Sequence, residues 1–376
     1  MGSIKIQQPQ AISIHISLQS DPSSGIYLKS IPPLLQSQNM PGETVLVTGG
    51  TGHLGFRVIV EALKAGYQVR AVVRSESKAN DVLSTSIIKT LNPGNKLQFV
   101  TVPDMVADGA YNEVAKGATY AIHVASPIAS AHKEGDDEDE VLIKPAVKGT
   151  LNILEAAQKA GSIKRVVITS SVVAIIPFAE FISGKTDQVW NEKSRTPTPT
   201  RPYVNSFAAY AASKIAALNA TEEWVTEQKP SFDVVNIFPG YIIGAEDLVT
   251  SAEKASSFGT NPVVLGPALG ANSGSHPGTS IGVDDVAFAH VKALDPSVPG
   301  NQGYILSQES HWEDVTKIVA ANFPDAVKSG KLPNNGQITT VPIKIDEHRS
   351  EELLGFSYKG LEEQVKSAVG HYLTLL

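Results

Sequence analysis

Thirteen residues, Glu43 to Gly55 (ETVLVTGGTGHLG), constrain this chain more than any others. Glu43 to Val47 reads as a short buried strand, and His53 to Ala65 carries apolar residues at helical spacing before Gly66 closes the run. Between them stands Gly49-Gly-Thr-Gly52-His-Leu-Gly55. Gly49 permits a tight turn, Gly52 lets a pyrophosphate approach the main chain, and Gly55 lets helix and strand pack closely. The helix start then offers unpaired N–H groups to an anion. With a strand before it and a helix after it, a common glycine triplet becomes a dinucleotide-binding pattern.

The next strand says which dinucleotide. Gln68 to Val73 alternates like a strand and ends at Arg74, where a carboxylate for ribose hydroxyls would stand in an NAD binder. Arg74 suits a 2′-phosphate, and Lys78, four residues on, is a second cation on the same face. The expected cofactor is NADPH/NADP+ rather than NADH.

Further along, strand and helix keep alternating. Helices are expected at Ala79 to Leu91, Asp108 to Lys116, Val141 to Ala160 and Ala208 to Gln228, and strands at Leu97 to Thr101, Thr119 to Ser126, Lys164 to Thr169 and Asp233 to Phe238. That is the signature of an α/β fold with a Rossmann doubly wound parallel sheet. Pro177 to Phe207, with Pro197, Pro199 and Pro202, reads as a loop over the active site. Residues 245 to 280 read as an irregular cover for the substrate. Helix resumes at Asp284 to His290, strand at Gly303 to Leu306, and helices follow at Trp312 to Asn322 and Leu361 to Leu373. The expected division is a flexible N-terminal extension over 1–40, a cofactor-binding domain over 41–240 rejoined by 281–308, and a smaller C-terminal substrate-binding region from 241–280 and 309–376.

Composition excludes several classes. A net charge of −7 and a pI near 5.7 argue against nucleic acid or an anionic membrane as partner. With no cysteine there is no disulfide, thiolate nucleophile or cysteine metal site, and a cytoplasmic setting fits. The most apolar run, Val166 to Ile176, is too short to span a bilayer. The first forty residues have neither a signal-peptide pattern nor the arginines of a transit peptide, and Met40 just before the fold marks them as a linker-like tail or an upstream start. Lys133 to Glu140 (KEGDDEDE) lacks the spacing of a calcium loop and reads as a solvated run favouring a helix N-terminus. No metal is expected.

Tyr210 and Lys214 are four apart on one predicted helix, so they share a face. A phenol near pKa 10 is a reluctant acid, and a neighbouring ammonium stabilises the phenolate and makes it a usable proton donor. Thr169-Ser170-Ser171 falls at the carboxyl end of the fifth strand, the edge where open α/β sheets bind ligands. A serine hydroxyl there can steady charge developing on a carbonyl oxygen.

Thr48-Gly49-x-x-Gly52-x-x-Gly55, Arg74, His123-Val-Ala-Ser126, Pro145-x-x-Lys148-Gly149-Thr150, Ser171, Tyr210-x-x-x-Lys214, Pro239-Gly240 and Asp284-Asp285-Val286-Ala287 follow the order of the extended short-chain dehydrogenase/reductases. More narrowly the chain resembles the dihydroflavonol-reductase-like branch that holds fungal NADPH-dependent aldehyde and ketone reductases. The likeness runs from about Glu43 to Phe356.

This resemblance implies that Tyr210 donates the proton, Lys214 binds the nicotinamide ribose and tunes Tyr210, and Ser171, or less favourably Ser170, holds a small-molecule carbonyl substrate. Thr48, Gly49, Gly52, His53, Leu54 and Gly55 would surround the pyrophosphate, with Arg74 and Lys78 at the 2′-phosphate and Asp104 and Met105 at the adenine. Val124, Ala125, Ser126, Pro239, Gly240 and Ile242 would complete the cofactor site. Pro127, Ile128, Ile176, Phe178 and Tyr241 would line the substrate pocket. In plant flavonoid reductases an Asn follows the catalytic serine by five residues; here Ile176 stands there, which speaks against a dihydroflavonol. Such proteins are monomers or homodimers. Three other readings remain open: a nucleotide-sugar epimerase or dehydratase, a non-catalytic dinucleotide sensor, and a hydrolase nucleophile at Gly278-Thr-Ser280-Ile-Gly282, for which no preceding strand is expected.

Overall fold

Val45, Leu46 and Val47 are fully buried, as a strand must be when helices cover both faces of its sheet. The computed structural model describes residues 42–128 and 135–376, so the expected extension over 1–40 lies outside the described residues. In chain order the strands are β1 (Thr44–Thr48), β2 (Gln68–Val73), β3 (Leu97–Thr101), β4 (Tyr120–His123), β5 (Arg165–Thr169), β6 (Asp233–Pro239), β7 (Tyr241–Ile243), β8 (Asn272–Pro277), β9 (Thr279–Gly282), β10 (Gln302–Leu306), β11 (Gln308–Glu309) and β12 (Gln337–Val341).

Seven of these form one parallel sheet in the order β10-β6-β5-β4-β1-β2-β3. Helices His53–Lys64 and Val283–Lys292 pack together on one face and helices Lys144–Ala160 and Ser206–Gln228 on the other. Strand order reverses between β1 and β4, and a ligand crevice belongs at the carboxyl ends beside that reversal. A smaller sheet, β11-β9-β7, continues directly from β6 and β10. Among the described residues no helix is long and apolar enough to cross a membrane.

Several expected elements differ. The helix over Ala79 to Leu91 is broken at Thr85, whose ψ of 146° leaves the helical region and whose hydroxyl accepts from Ile88 N to start a second helix. Gly109, at φ 68°, delays the next helix to Asn112–Ala115. Residues 272–282 are not an irregular cover: β8 pairs with β12 and β9 with β7. Its Ser, Gly and Asn content hid the first of these strands. The glycine-flanked Ser280 therefore does have strand before it and helix after it. It is nevertheless fully buried with its hydroxyl bonded to that of Ser310 at 2.6 Å, which leaves no exposed nucleophile.

Nor does Pro177 to Phe207 cover the cleft. It forms a helix at Phe178–Ser183 and reaches the C-terminal segment, where Trp190 N donates to Lys344 O at 2.9 Å. The described acids 136–140 are not simply solvated: Arg201 clasps Asp137 and, at 3.0 Å, Asp139, which also accepts from the Tyr203 hydroxyl at 3.0 Å.

Candidate active site

Between β1 and the helix His53–Lys64, Gly49 turns at φ 72° and packs so tightly that a Cβ would come within 2.7 Å of Ala125 N. At Gly55 a Cβ would lie 2.0 Å from Gly49 O, so this glycine is required by the helix–strand contact. Gly52 is different, since its Cβ would meet nothing nearer than 3.5 Å. No side chain caps this helix and no acid occupies its first turn. Its N–H groups and dipole are thus left for an anion, and Gly52 keeps the approach open. The residues present fit a dinucleotide pyrophosphate.

A cleft of about 590 Å³ runs from this turn across the sheet edge. Thr48, Gly49, Gly52, His53, Leu54 and Gly55 line it, and so do Arg74 and Lys78. Arg74 is exposed and forms no ion pair among the described residues, whereas Lys78 is tied to Asp81 at 2.8 Å. Met105, Val124, Ala125, Ser126, Pro127, Ile128, Pro239, Gly240 and Ile242 also line the cleft. His53 is held neutral: burial pulls its pKa down to about 4 against a 3.1 Å hydrogen bond with Ala245 O.

Four expected lining residues stand elsewhere. Asp104 is exposed and its carboxylate accepts from Val106 N at 2.9 Å, closing an Asx turn rather than facing the cleft. Ile176 is fully buried in a cluster with Val173 and Phe181, because a turn at Val172–Ala174 swings the chain inward after Ser171. Phe178 packs edge-on against Phe207, which in turn stacks on Tyr210 at 6.1 Å, so it braces the tyrosine from behind. Tyr241 packs edge-on against His276 and Trp312 and does not itself line this cleft, although its phenol, pushed up first by burial, is close enough to that of Tyr210 to be pushed up by it as well. Conversely, the sequence reading missed an apolar wall of Val72, Val73, Val102, Pro103 and Tyr111, and a polar rim of Thr51 and Glu246. Phe258, Gly259 and Thr260 fall inside the interval 256–280 expected to wall the pocket, but no pattern singled them out.

The catalytic candidates converge at the middle of the cleft. The helix Ser206–Gln228 begins at Asn205, which accepts from Ala208 N at 2.8 Å, and buried Ala208, Ala209, Ala211 and Ala212 let it lie close to the sheet. Tyr210 is thereby brought to Ser171 at the end of β5, close enough for the serine hydroxyl to act on the phenol. Ser170 lines the same cleft, but it is the Ser171 hydroxyl that acts on the phenol. Burial pushes the Tyr210 phenol up to about 12, and the nearby Ser171 hydroxyl works against that. Lys214 was expected to supply this lowering. Instead its ammonium donates to Thr169 O at 3.3 Å, and burial holds its own pKa down near 8. Thr169 is itself fixed by a 2.7 Å bond between its hydroxyl and buried His290.

A parallel doubly wound sheet, an open glycine turn and a Ser–Tyr–Lys cluster at the carboxyl edge define a dinucleotide-dependent enzyme site of the short-chain dehydrogenase/reductase kind. The chain belongs to the NAD dependent epimerase/dehydratase family, whose model matches residues 45–306, and it is an extended short-chain dehydrogenase/reductase. It is 39% identical over 348 residues to ketoreductase CTB6 of Cercospora beticola, covering 89% of this chain and 96% of that one. Aldehyde reductase 2 of Sporidiobolus salmonicolor is 31% identical over 339 residues, covering 88% of this chain and 96% of the relative. Among solved structures, Gre2 from Candida albicans in complex with NADPH superposes with a TM-score of 0.74 at 26% identity, over 89% of this chain and 99% of that one. These relatives place the chain among NAD(P)-dependent oxidoreductases.

Proposed function

We propose that this protein reduces an aldehyde or ketone to an alcohol with NADPH as hydride source and Tyr210 as proton donor. The observation that carries the reading is the convergence of Ser171, Tyr210 and Lys214 in a single cleft with the open glycine turn and with Arg74, which forms no ion pair among the described residues. When bound, NADPH would supply the hydride. Gly49 to Gly55 would hold its pyrophosphate, Arg74 its 2′-phosphate, and the apolar wall of Val72, Val102 and Tyr111 its adenine. Ser171 would donate to the substrate carbonyl oxygen, and Tyr210 would deliver the proton as negative charge develops there. The ammonium of Lys214 would favour the phenolate left behind. Names of curated relatives, both ketoreductase and aldehyde reductase, support the reaction class.

Purified protein tests this with a panel of aldehydes, β-keto esters and aromatic ketones, following oxidation of NADPH and of NADH in parallel. Turnover that prefers NADPH is the expected result. Tight binding of NADPH with no turnover on any carbonyl would overturn it in favour of a sensing or sugar-modifying role.

A further inference from the structure

Behind the catalytic lysine the structure holds a second, very small chamber. Its volume is about 10 Å³, the room one water molecule needs. Lys214, Thr169 and Ser170 border both this chamber and the main cleft, while His123 and Asn236 face only the chamber.

His123 is 2% exposed and sits at the end of β4, in register with Thr48 at the end of β1. Its Nδ1 and the Thr48 hydroxyl are 2.8 Å apart, and Thr48 is the residue from which the glycine turn departs. Its Nε2 is buried and has no hydrogen-bond partner among the described residues. A buried imidazole nitrogen left alone is costly, so such groups normally find a partner. Burial first, and the Lys214 charge second, hold this imidazole neutral, so one of its nitrogens is an acceptor. Asn236 is 8% exposed within β6, a strand paired on both sides, which is an unusual place for an amide. Lys214 carries three N–H donors and spends one on Thr169 O.

We propose that one buried water occupies this chamber, accepting from Lys214 Nζ and donating to His123 Nε2 and to the Asn236 side-chain oxygen, so that His123 is a positioning residue for Lys214. With Nδ1–H donating to Thr48, the Nε2 lone pair faces the chamber and both imidazole nitrogens are satisfied. A polar chain then runs from the start of the glycine turn through Thr48, His123 and the water to the catalytic lysine. The cofactor turn and the proton-donating machinery are thus set by one another's position.

Two substitutions separate this role from a merely structural one. His123→Asn keeps a polar atom near the Nδ1 position, hence the Thr48 contact, but nothing near Nε2; His123→Gln does the reverse. If the water link matters, the Gln variant retains kcat within about threefold of wild type. The Asn variant loses about tenfold or more, with KM for NADPH moving by less than about twofold, because a misplaced catalytic group costs rate rather than binding. An Asn variant as fast as the Gln variant overturns the proposal. The kinetic arm rests on the reductase reading, so a second arm needs no activity and no variant. A high-resolution crystal structure of the wild-type protein should show water density within hydrogen-bond distance of both Lys214 Nζ and His123 Nε2. An empty chamber, or a direct bond between the two residues, overturns the proposal even if both variants fail to fold.

Discussion

The Lys214 ammonium lies 5.8 Å from the centroid of the Tyr210 ring and donates to the main-chain carbonyl of Thr169. The lysine is therefore placed to influence the phenol through space while anchored to the sheet, and each member of the pair can be removed with a distinct consequence.

Tyr210→Phe deletes one hydroxyl and keeps the ring stacked on Phe207. Carbonyl reduction should fall by roughly 100-fold or more, the usual loss when a positioned general acid is removed. NADPH affinity, read by fluorescence titration, should change little; a comparable fall in affinity would show that the hydroxyl serves binding instead.

Lys214 has a depressed folded-state pKa near 8, against an unfolded value near 10.5. Between those values the unfolded chain holds the extra proton, so this group's contribution to stability rises with pH across that window, and below it the buried charge carries its full cost. Lys214→Met should therefore raise stability at pH 7 by about 1 to 3 kcal/mol, after allowing for the lost partner of Thr169 O, and by less at pH 10. Urea unfolding at the two pH values measures this. In the wild type kcat should fall above about pH 8 as the ammonium is lost.

Gly52 and Gly55 look equivalent in sequence and should not behave alike. Gly55→Ala puts a methyl 2.0 Å from Gly49 O and should destabilise the fold by about 2 kcal/mol or more. Gly52→Ala has open space, so melting should be unchanged while NADPH binding is lost. Thermal scans with and without NADPH distinguish the two.

Arg74→Asp reverses the charge at the end of β2, where Arg74 lines the cleft. NADPH should weaken by about 10- to 100-fold, the range for losing charge-assisted hydrogen bonds, while NADH weakens far less. Parallel losses would place the 2′-phosphate elsewhere.

The parallel sheet was legible because its strands are apolar runs with β-branched residues, such as Val45 to Val47 and Val166 to Ile168, each followed by a helical period. β8 was not, because Asn272 to Pro277 has no alternation and pairs with β12, some sixty residues away. The glycine turn and the Tyr210–Lys214 pair could be read from spacing, and Arg74 and Ser171 from their places at strand ends, with the family resemblance supplying the role of Ser171. Ile176 could not, because counting residues past Ser171 ignores the direction in which the turn at Val172–Ala174 sends the chain. Phe258 to Thr260 reach the cleft from a loop, where no periodicity marks which side chains turn inward.

The two sheets are joined by two strand continuations side by side, β6 into β7 at Gly240 and β10 into β11 at Ser307. Gly240 N donates to Leu306 O at 2.9 Å, and the Ser307 hydroxyl is bonded to that of Thr279 at 2.6 Å. A Cβ at Gly240 would come within 2.4 Å of Thr279 Oγ1, so the crossing is packed to contact. Mechanically this is a double strap: any swing of one half against the other has to bend both crossings together.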